Sequence, residues 1–304
     1  MRGRLPPTGR FALSPRRSPP ARHLRAALSE DQLEVHYQPK LRIDAERVAG
    51  VEALVRWRHP QRGLLAPGDF LLGLEHHEVL GDLAVYVLDV ALAQATAWRR
   101  EGAPLTVAVN VASASLIDES WPASVGAALE RWEVPSEALV LEITETAILQ
   151  DPDRAAAVLR DLVATGVTVS LDDFGTGESS LSRLLQFPIA ELKIDRSFLR
   201  HVAVRRSRGL KVVKAVVDLA HELGQRVVAE GVEDRPTLDL LADMRCDEAQ
   251  GYYICRPVPA ADLPHWARNP PAAADRLFMR RLGTGGESGL GGAFRSPAVA
   301  SAWP

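Results

Sequence analysis

Two β-branched runs and the link between them decide the fold: Leu33-Glu34-Val35-His36-Tyr37-Gln38-Pro39-Lys40-Leu41, then Ile43-Asp44-Ala45-Glu46-Arg47, then Val48-Ala49-Gly50-Val51-Glu52-Ala53-Leu54-Val55-Arg56-Trp57. Five residues cannot hold a crossover helix, so the two strands form an antiparallel hairpin. Downstream, further strand-like runs occur at Leu105–Val111, Ala138–Thr144, Val167–Leu171, Glu191–Ile194 and Arg226–Ala229, with a weak one near Asp247–Tyr252. Amphipathic segments of helical length separate most of them, among them Asp153–Ala164 and Gly209–Leu223. Asp151-Pro152 supplies a helix start, and Gly166 and Gly224 supply helix stops. Eight strands alternating with helices predict an α/β fold, a (β/α)8 barrel of the TIM type modified so that the first strand runs antiparallel.

The composition agrees with one globular unit. The chain has 304 residues, 46% apolar and 25% charged, with a net charge of −3. Two cysteines, Cys246 and Cys255, exclude a disulfide framework and point to a reducing, cytoplasmic setting. No apolar run reaches the roughly 20 residues of a spanning helix. The slightly acidic balance argues against stable nucleic-acid binding. Seven arginines, five prolines and no acid fall in the first 25 residues, so residues 1–22 are expected to be a disordered tail. Residues 23–268 form the barrel domain, and the Gly-, Ser- and Ala-rich residues 269–304 are expected to be mostly disordered.

The strand ends carry the chemistry. Val107, Val109 and Val111 share one face of their strand, and Ala108 and Asn110 the other. Glu142 is out of phase with Leu139, Leu141 and Ile143. Asp172 is in phase with Thr168 and Ser170. Glu52, Lys193, Glu230 and Gln250 occupy comparable places on their strands. Polar residues thus point inward near the carboxyl ends, the mouth at which such barrels build sites. Clustered carboxylates repel one another, and divalent cations remove that conflict. The donor set is all oxygen, without cysteine or a necessary histidine, which favours Mg²⁺ or Mn²⁺ over Zn²⁺. Asp172 and Asp173 are neighbours and reach the same mouth only if the strand bends, for which Phe174-Gly175-Thr176-Gly177 is the expected place. Two adjacent aspartates suit a pair of metals, one of the two bridging, as in phosphoryl displacement. Lys193 can orient a nucleophilic water, and Glu230 is a candidate general base. His76-His77 is read as a surface helix segment. Trp57, Trp98 and Trp132 are read as packing residues.

At this point the chain resembles the EAL-domain family of cyclic di-GMP phosphodiesterases, from about Leu24 to Leu263, as a stand-alone EAL domain. The signature is Glu52-Ala53-Leu54 within Gly50–Trp57. Around it stand Tyr37-Gln38-Pro39, Asn110-Val111-Ala112-Ser113, Glu142-Ile143-Thr144-Glu145, Asp172–Gly177, Lys193–Phe198, Ala229–Glu233 and Gln250-Gly251-Tyr252. The resemblance implies metal-dependent hydrolysis of cyclic di-GMP to linear pGpG, with two Mg²⁺ or Mn²⁺ ions per site. By matching position it makes Glu52, Asn110, Glu142 and Asp172 ligands of the first metal. Asp172, Asp173 and Glu230 become second-metal ligands or the base. Lys193 and Gln250 hold the water, and Gln38, Leu54, Arg56, Asp195, Glu233 and Pro257 contact substrate. Glu145 braces the loop after Asp172-Asp173, which the family couples to a homodimer interface. Glu178 departs from the family's usual neutral residue in that loop, as does His76–Leu80 from its usual run. A catalytically silent receptor that binds the dinucleotide and signals through a partner is the alternative, and a barrel used only as an interaction scaffold is a third reading.

Overall fold

The short link does what its length requires. In the computed structural model, which describes residues 21–74, 77–175, 186–199 and 208–263, β1 (Leu33–Arg42) and β2 (Arg47–His59) form one antiparallel hairpin. It is paired from Leu33 opposite Trp57 to Arg42 opposite Arg47, with an irregularity after Lys40. Glu46 adopts φ 45° to close the turn.

From β2 onward the sheet is parallel. β4 (Thr106–Asn110), β5 (Leu139–Thr144), β6 (Thr168–Phe174), β7 (Glu191–Ile194), β8 (Arg226–Ala229) and β9 (Glu248–Ala249) follow in spatial order. β9 then pairs antiparallel with β1 through Leu41 and Arg42. The eight strands therefore close into a barrel in which β1 alone is reversed against both neighbours. Two short strands lie outside the predicted set. β3 (Gly63–Leu65) folds back on the end of β2, and β10 (Val258–Pro259) pairs with His36 and Tyr37 of β1.

Helices α1 (Ala21–Ser29), α2 (Pro67–Phe70), α3 (Val79–Arg100), α4 (Trp121–Trp132), α5 (Glu145–Leu149), α6 (Pro152–Ala164), α7 (Arg196–Leu199), α8 (Arg208–Glu222) and α9 (Arg235–Asp243) connect or cover the strands. α6 starts as its sequence requires. The Asp151 carboxylate accepts the Arg154 backbone N–H at 3.2 Å, and Pro152 occupies the first turn where no N–H is needed. Gly166, at φ 94°, lets the chain leave the helix toward β6. The outward strand residues Val107, Val109, Leu139, Leu141, Val169, Leu171, Leu192 and Val227 are all buried and form the layer between barrel and helices.

α3 departs from the expectation that no segment is long and apolar enough to span a membrane. It passes that test by length and composition, with a mean hydropathy of 1.5 over an 18-residue window. Its apolar side, including Leu83, Ala91, Leu92 and Ala95, is buried within the fold, and Asp82 and Asp89 interrupt its run of apolar residues. α1 begins at Ala21, inside the stretch expected as a tail. The rest of that tail, the end from residue 264 and His76 lie outside the described residues. His77 stands just before α3, not within a helix, and its ring accepts the Val79 backbone N–H at 3.2 Å. Trp57 and Trp98 are buried packing residues as expected, the latter edge-on to Tyr37.

Candidate active site

Strand alternation delivers the polar residues to one place. Glu52 on β2, Asn110 at the end of β4, Glu142 on β5, Asp172 on β6 and Lys193 on β7 project into the barrel, and Glu230 and Gln250 follow β8 and β9 directly. The Lys193 ammonium is the hub. It lies 2.6 Å from Glu230, 2.9 Å from Glu142, 3.3 Å from Asp172 and 3.8 Å from Glu52. Asn110 donates its side-chain N–H to Glu52 at 2.9 Å. Gln250 donates to the other Glu52 oxygen at 2.5 Å and to Gln38 at 3.0 Å. Gln38 in turn donates to the Cys255 carbonyl at 2.9 Å. Six strands are thereby tied together through their side chains at one level of the barrel.

Asp172 and Asp173 reach the same mouth because the strand breaks register there. The pairing of β6 with β7 shifts between Leu171 and Phe174, and Asp173 sits at φ 54°, in the left-handed region. Its backbone N–H donates to the Asp172 carboxylate at 2.8 Å. The bend thus falls at Asp173 itself, ahead of the glycine-containing segment where the sequence placed it. One carboxylate oxygen each from Asp172, Asp173 and Glu230 lies within 4.8 Å of the others.

Burial sets the electrostatics. Glu142 is fully enclosed, and burial together with the charge of Glu52 pushes its carboxyl up to about 8. Burial and the neighbouring Asp172 and Asp195 push Asp173 up to about 7. Burial and Asp172 raise Glu230 well above the ordinary carboxyl range. Burial opposes the charge of Glu52, yet Lys193, Gln250 and Asn110 hold it below that range. Lys193 is buried, but Asp172, Glu142, Glu230 and Glu52 outweigh the desolvation and hold it protonated well above the usual lysine value. This is the pattern of a site short of positive charge. The donors fit a hard divalent cation: carboxylate and amide oxygens, with neither free thiol among them. Glu142 Oε1 and Gln250 Oε1 are moreover buried without a hydrogen-bond partner. Asn110 presents nitrogen to Glu52, and a half-turn of its amide presents oxygen instead.

A cleft of about 230 Å³ opens above these groups. Glu52, Asp172, Asp173, Glu230 and Gln250 line it, as do all six expected substrate contacts, Gln38, Leu54, Arg56, Asp195, Glu233 and Pro257. Asn110, Glu142 and Lys193 lie beneath its surface. Glu145 is not part of it. This residue opens α5, buried, with no hydrogen bond to either carboxylate oxygen among the described residues. The loop it was expected to brace, with Glu178, lies outside those residues.

Three features of the site were missed. Arg196 lines the cleft, and so does Tyr252, over whose ring the Arg256 guanidinium sits at 4.1 Å. Beneath the site, Lys40 lies 3.8 Å from Glu142 and 3.5 Å from Glu191, which pairs with Arg226 at 3.2 Å. Strand parity was a usable signal for this last group: Lys40 is in phase with Gln38, and Glu191 with Lys193.

A reversed-strand β/α barrel with an acid-lined mouth around a buried lysine defines a class of protein that gathers clustered carboxylates at the carboxyl ends of its strands. The EAL domain family model matches residues 21–257, and the chain belongs to the EAL domain family. An "Uncharacterized signaling protein" of Caulobacter vibrioides is 42% identical over 86% of this chain and 32% of its own length. The "Bifunctional diguanylate cyclase/cyclic di-GMP phosphodiesterase MucR" of Pseudomonas aeruginosa is 40% identical over 79% of this chain and 35% of its own. The chain thus spans about a third of the length of these curated relatives. Among solved structures, "PaMucR Phosphodiesterase, c-di-GMP complex" is 40% identical with a TM-score of 0.75, over 80% of this chain and 99% of that one.

Proposed function

We propose that this chain is a cyclic di-GMP phosphodiesterase that opens the cyclic dinucleotide to linear pGpG and so lowers a second messenger. The observation that carries the reading is the mutual approach of Asp172, Asp173 and Glu230 within 4.8 Å, in a cleft floored by Lys193. The names of MucR and of the similar "Cyclic di-GMP phosphodiesterase PA2567" support the substrate. Glu52, Asn110, Glu142 and Asp172 would hold one Mg²⁺ or Mn²⁺ ion, and Asp172, Asp173 and Glu230 a second. Such ions, when bound, polarise a phosphodiester and acidify water.

The chain's own groups do the rest. Glu230, raised well above the ordinary carboxyl range by burial and Asp172, takes the proton of the attacking water. Lys193 stays charged and steadies the developing hydroxide. Gln250 offers its unpartnered carbonyl oxygen to the same water. Arg56 presents a planar fork to a phosphate. Gln38, Leu54, Asp195, Glu233 and Pro257 border the remaining substrate surface. The reading includes a homodimer, carried by the family resemblance, and a reducing cytoplasmic setting, which two free, buried thiols fit.

The test is direct. Purified protein with cyclic di-GMP and Mn²⁺ or Mg²⁺ yields pGpG by chromatography, EDTA stops it, and Glu52→Ala or Glu230→Gln abolishes turnover. Tight binding without turnover in either metal would replace this reading with that of a silent receptor. No binding at all would leave only the scaffold.

A further inference from the structure

The acidic rim makes its cations stand out. Among the described residues two guanidiniums line the cleft, Arg56 from β2 and Arg196 from the first position of α7. α7 directly follows β7, and β2 and β7 are four strands apart in the ring of eight, so the two arginines enter from opposite sides. Arg56 donates one N–H to the Val55 carbonyl at 2.8 Å and makes no ion pair among the described residues. Among the described residues Arg196 makes no hydrogen bond or ion pair through its guanidinium, although Asp173, Asp195, Glu230 and Glu233 share the cleft with it. Asp195 is engaged elsewhere and accepts the Ser197 backbone N–H at 2.9 Å. The stem of Arg196 is held in place. Gly231 sits at φ 69°, and a Cβ there would overlap the Arg196 Cβ and lie 3.3 Å from its Cα. The backbone after Glu230 therefore abuts the root of Arg196 and ties its position to that of the candidate base.

A partly buried guanidinium left unpaired among carboxylates is free to hold an anion brought from outside the chain. A cyclic dinucleotide brings two phosphodiesters, each with one negative charge. Only one is cut, and the other must still be held in an acid-rimmed cleft that repels it. The planar fork of arginine matches two phosphate oxygens. We infer that each phosphodiester of the substrate has its own guanidinium, Arg56 for one and Arg196 for the other. Arg196 is then a residue that selects a two-phosphate ligand over a single diester. The inference rests on the reading of the site as one for cyclic di-GMP.

The experiment compares Arg56→Met, Arg196→Met and wild type on cyclic di-GMP and on bis(p-nitrophenyl) phosphate, a diester with one phosphate. Loss of a charge-assisted phosphate contact raises KM for cyclic di-GMP by about 10- to 100-fold in each variant. Arg196→Met loses at least about tenfold more kcat/KM on cyclic di-GMP than on the monodiester, and Arg56→Met loses equally on both. Arg196→Lys, which keeps the charge without the fork, recovers part of the loss, and it serves as the second variant should Arg196→Met fold poorly. Unchanged thermal midpoints separate a binding effect from a structural one. The inference is overturned if Arg196→Met leaves KM for cyclic di-GMP within about twofold of wild type, or if both variants lose equally on both substrates. Absence of hydrolysis by wild type would sink the phosphodiesterase reading alone. The dissociation constant for cyclic di-GMP, by calorimetry, would then decide the role of Arg196 on the same tenfold criterion.

Discussion

Lys193→Met removes one ammonium from a fully buried position and leaves Glu142, Asp172, Glu230 and Glu52, all within 3.8 Å of it, without their common partner. Methionine fills nearly the same volume, so packing is largely kept and charge is what changes. Lys40, 3.8 Å from Glu142, becomes its one remaining cation partner among the described residues. Breaking a buried ion pair from one side costs about 3–5 kcal/mol. For a domain of this size that is a fall in thermal midpoint of roughly 6–20 °C. The loss depends on pH with a definite sign. Without the ammonium the Glu142 and Glu230 carboxyls, already raised by burial, rise further above their unfolded values, and the folded variant takes up protons. The deficit is therefore smallest near pH 5 and largest above the value of about 8 already reached by Glu142. Calorimetric unfolding in EDTA across pH 5 to 9, repeated with Mg²⁺, measures it. A deficit under about 1 kcal/mol, or one equal at both ends of the range, would refute the account of Lys193 as the counter-charge of the site.

Other expectations follow from the same geometry. In the wild type, Glu142 at about 8 and Asp173 at about 7 bind protons in the folded state that the unfolded chain releases near its ordinary values of 4.5 and 3.8. Stability in EDTA therefore falls as pH rises through that window, and Mn²⁺ raises the thermal midpoint more at pH 8 than at pH 5; an equal rise at both would contradict this. Gly251→Ala drives a methyl into the backbone N and O of Val232 and displaces Gln250 and Tyr252 beside it, costing about 1–3 kcal/mol by thermal unfolding and lowering turnover. Asp151→Ala removes the cap of α6 for about 1 kcal/mol and leaves kcat unchanged, which separates stability from chemistry.

Much of this architecture was legible before any coordinates because it obeys local rules. The reversed strand follows from a five-residue link, and the inward acids follow from period-two alternation. What escaped has non-local causes. β3 and β10 are three and two residues long, too short to show a period, and β10 exists only because Val258 and Pro259 meet a strand more than 200 positions earlier. The bend at Asp173 is a backbone conformation rarely adopted outside glycine, held by a register shift against β7 that no single segment reveals. Arg196 was passed over because its distinguishing property, a guanidinium without a partner, is a fact about its surroundings. Lys40 and Glu191 could have been found by extending the parity count downward from the mouth.

The reversal of β1 has a consequence for how the polypeptide is threaded. In an all-parallel barrel the first strand starts at the floor, so the approaching chain arrives on the side away from the chemistry. Here Leu33 lies opposite Trp57, at the rim of the acid-lined mouth, and the turn at residues 43–46 takes the floor. The segment entering β1 is already bound at that rim: the Gln32 carbonyl accepts the Arg58 backbone N–H at 2.8 Å, and its side chain accepts the Trp57 indole N–H at 3.0 Å. A shift of the short link between α1 and Leu33 would therefore be felt first by the strand that carries Glu52 and Arg56, and α1, with Leu24 and Ala27 buried, is the element through which any upstream pull reaches it.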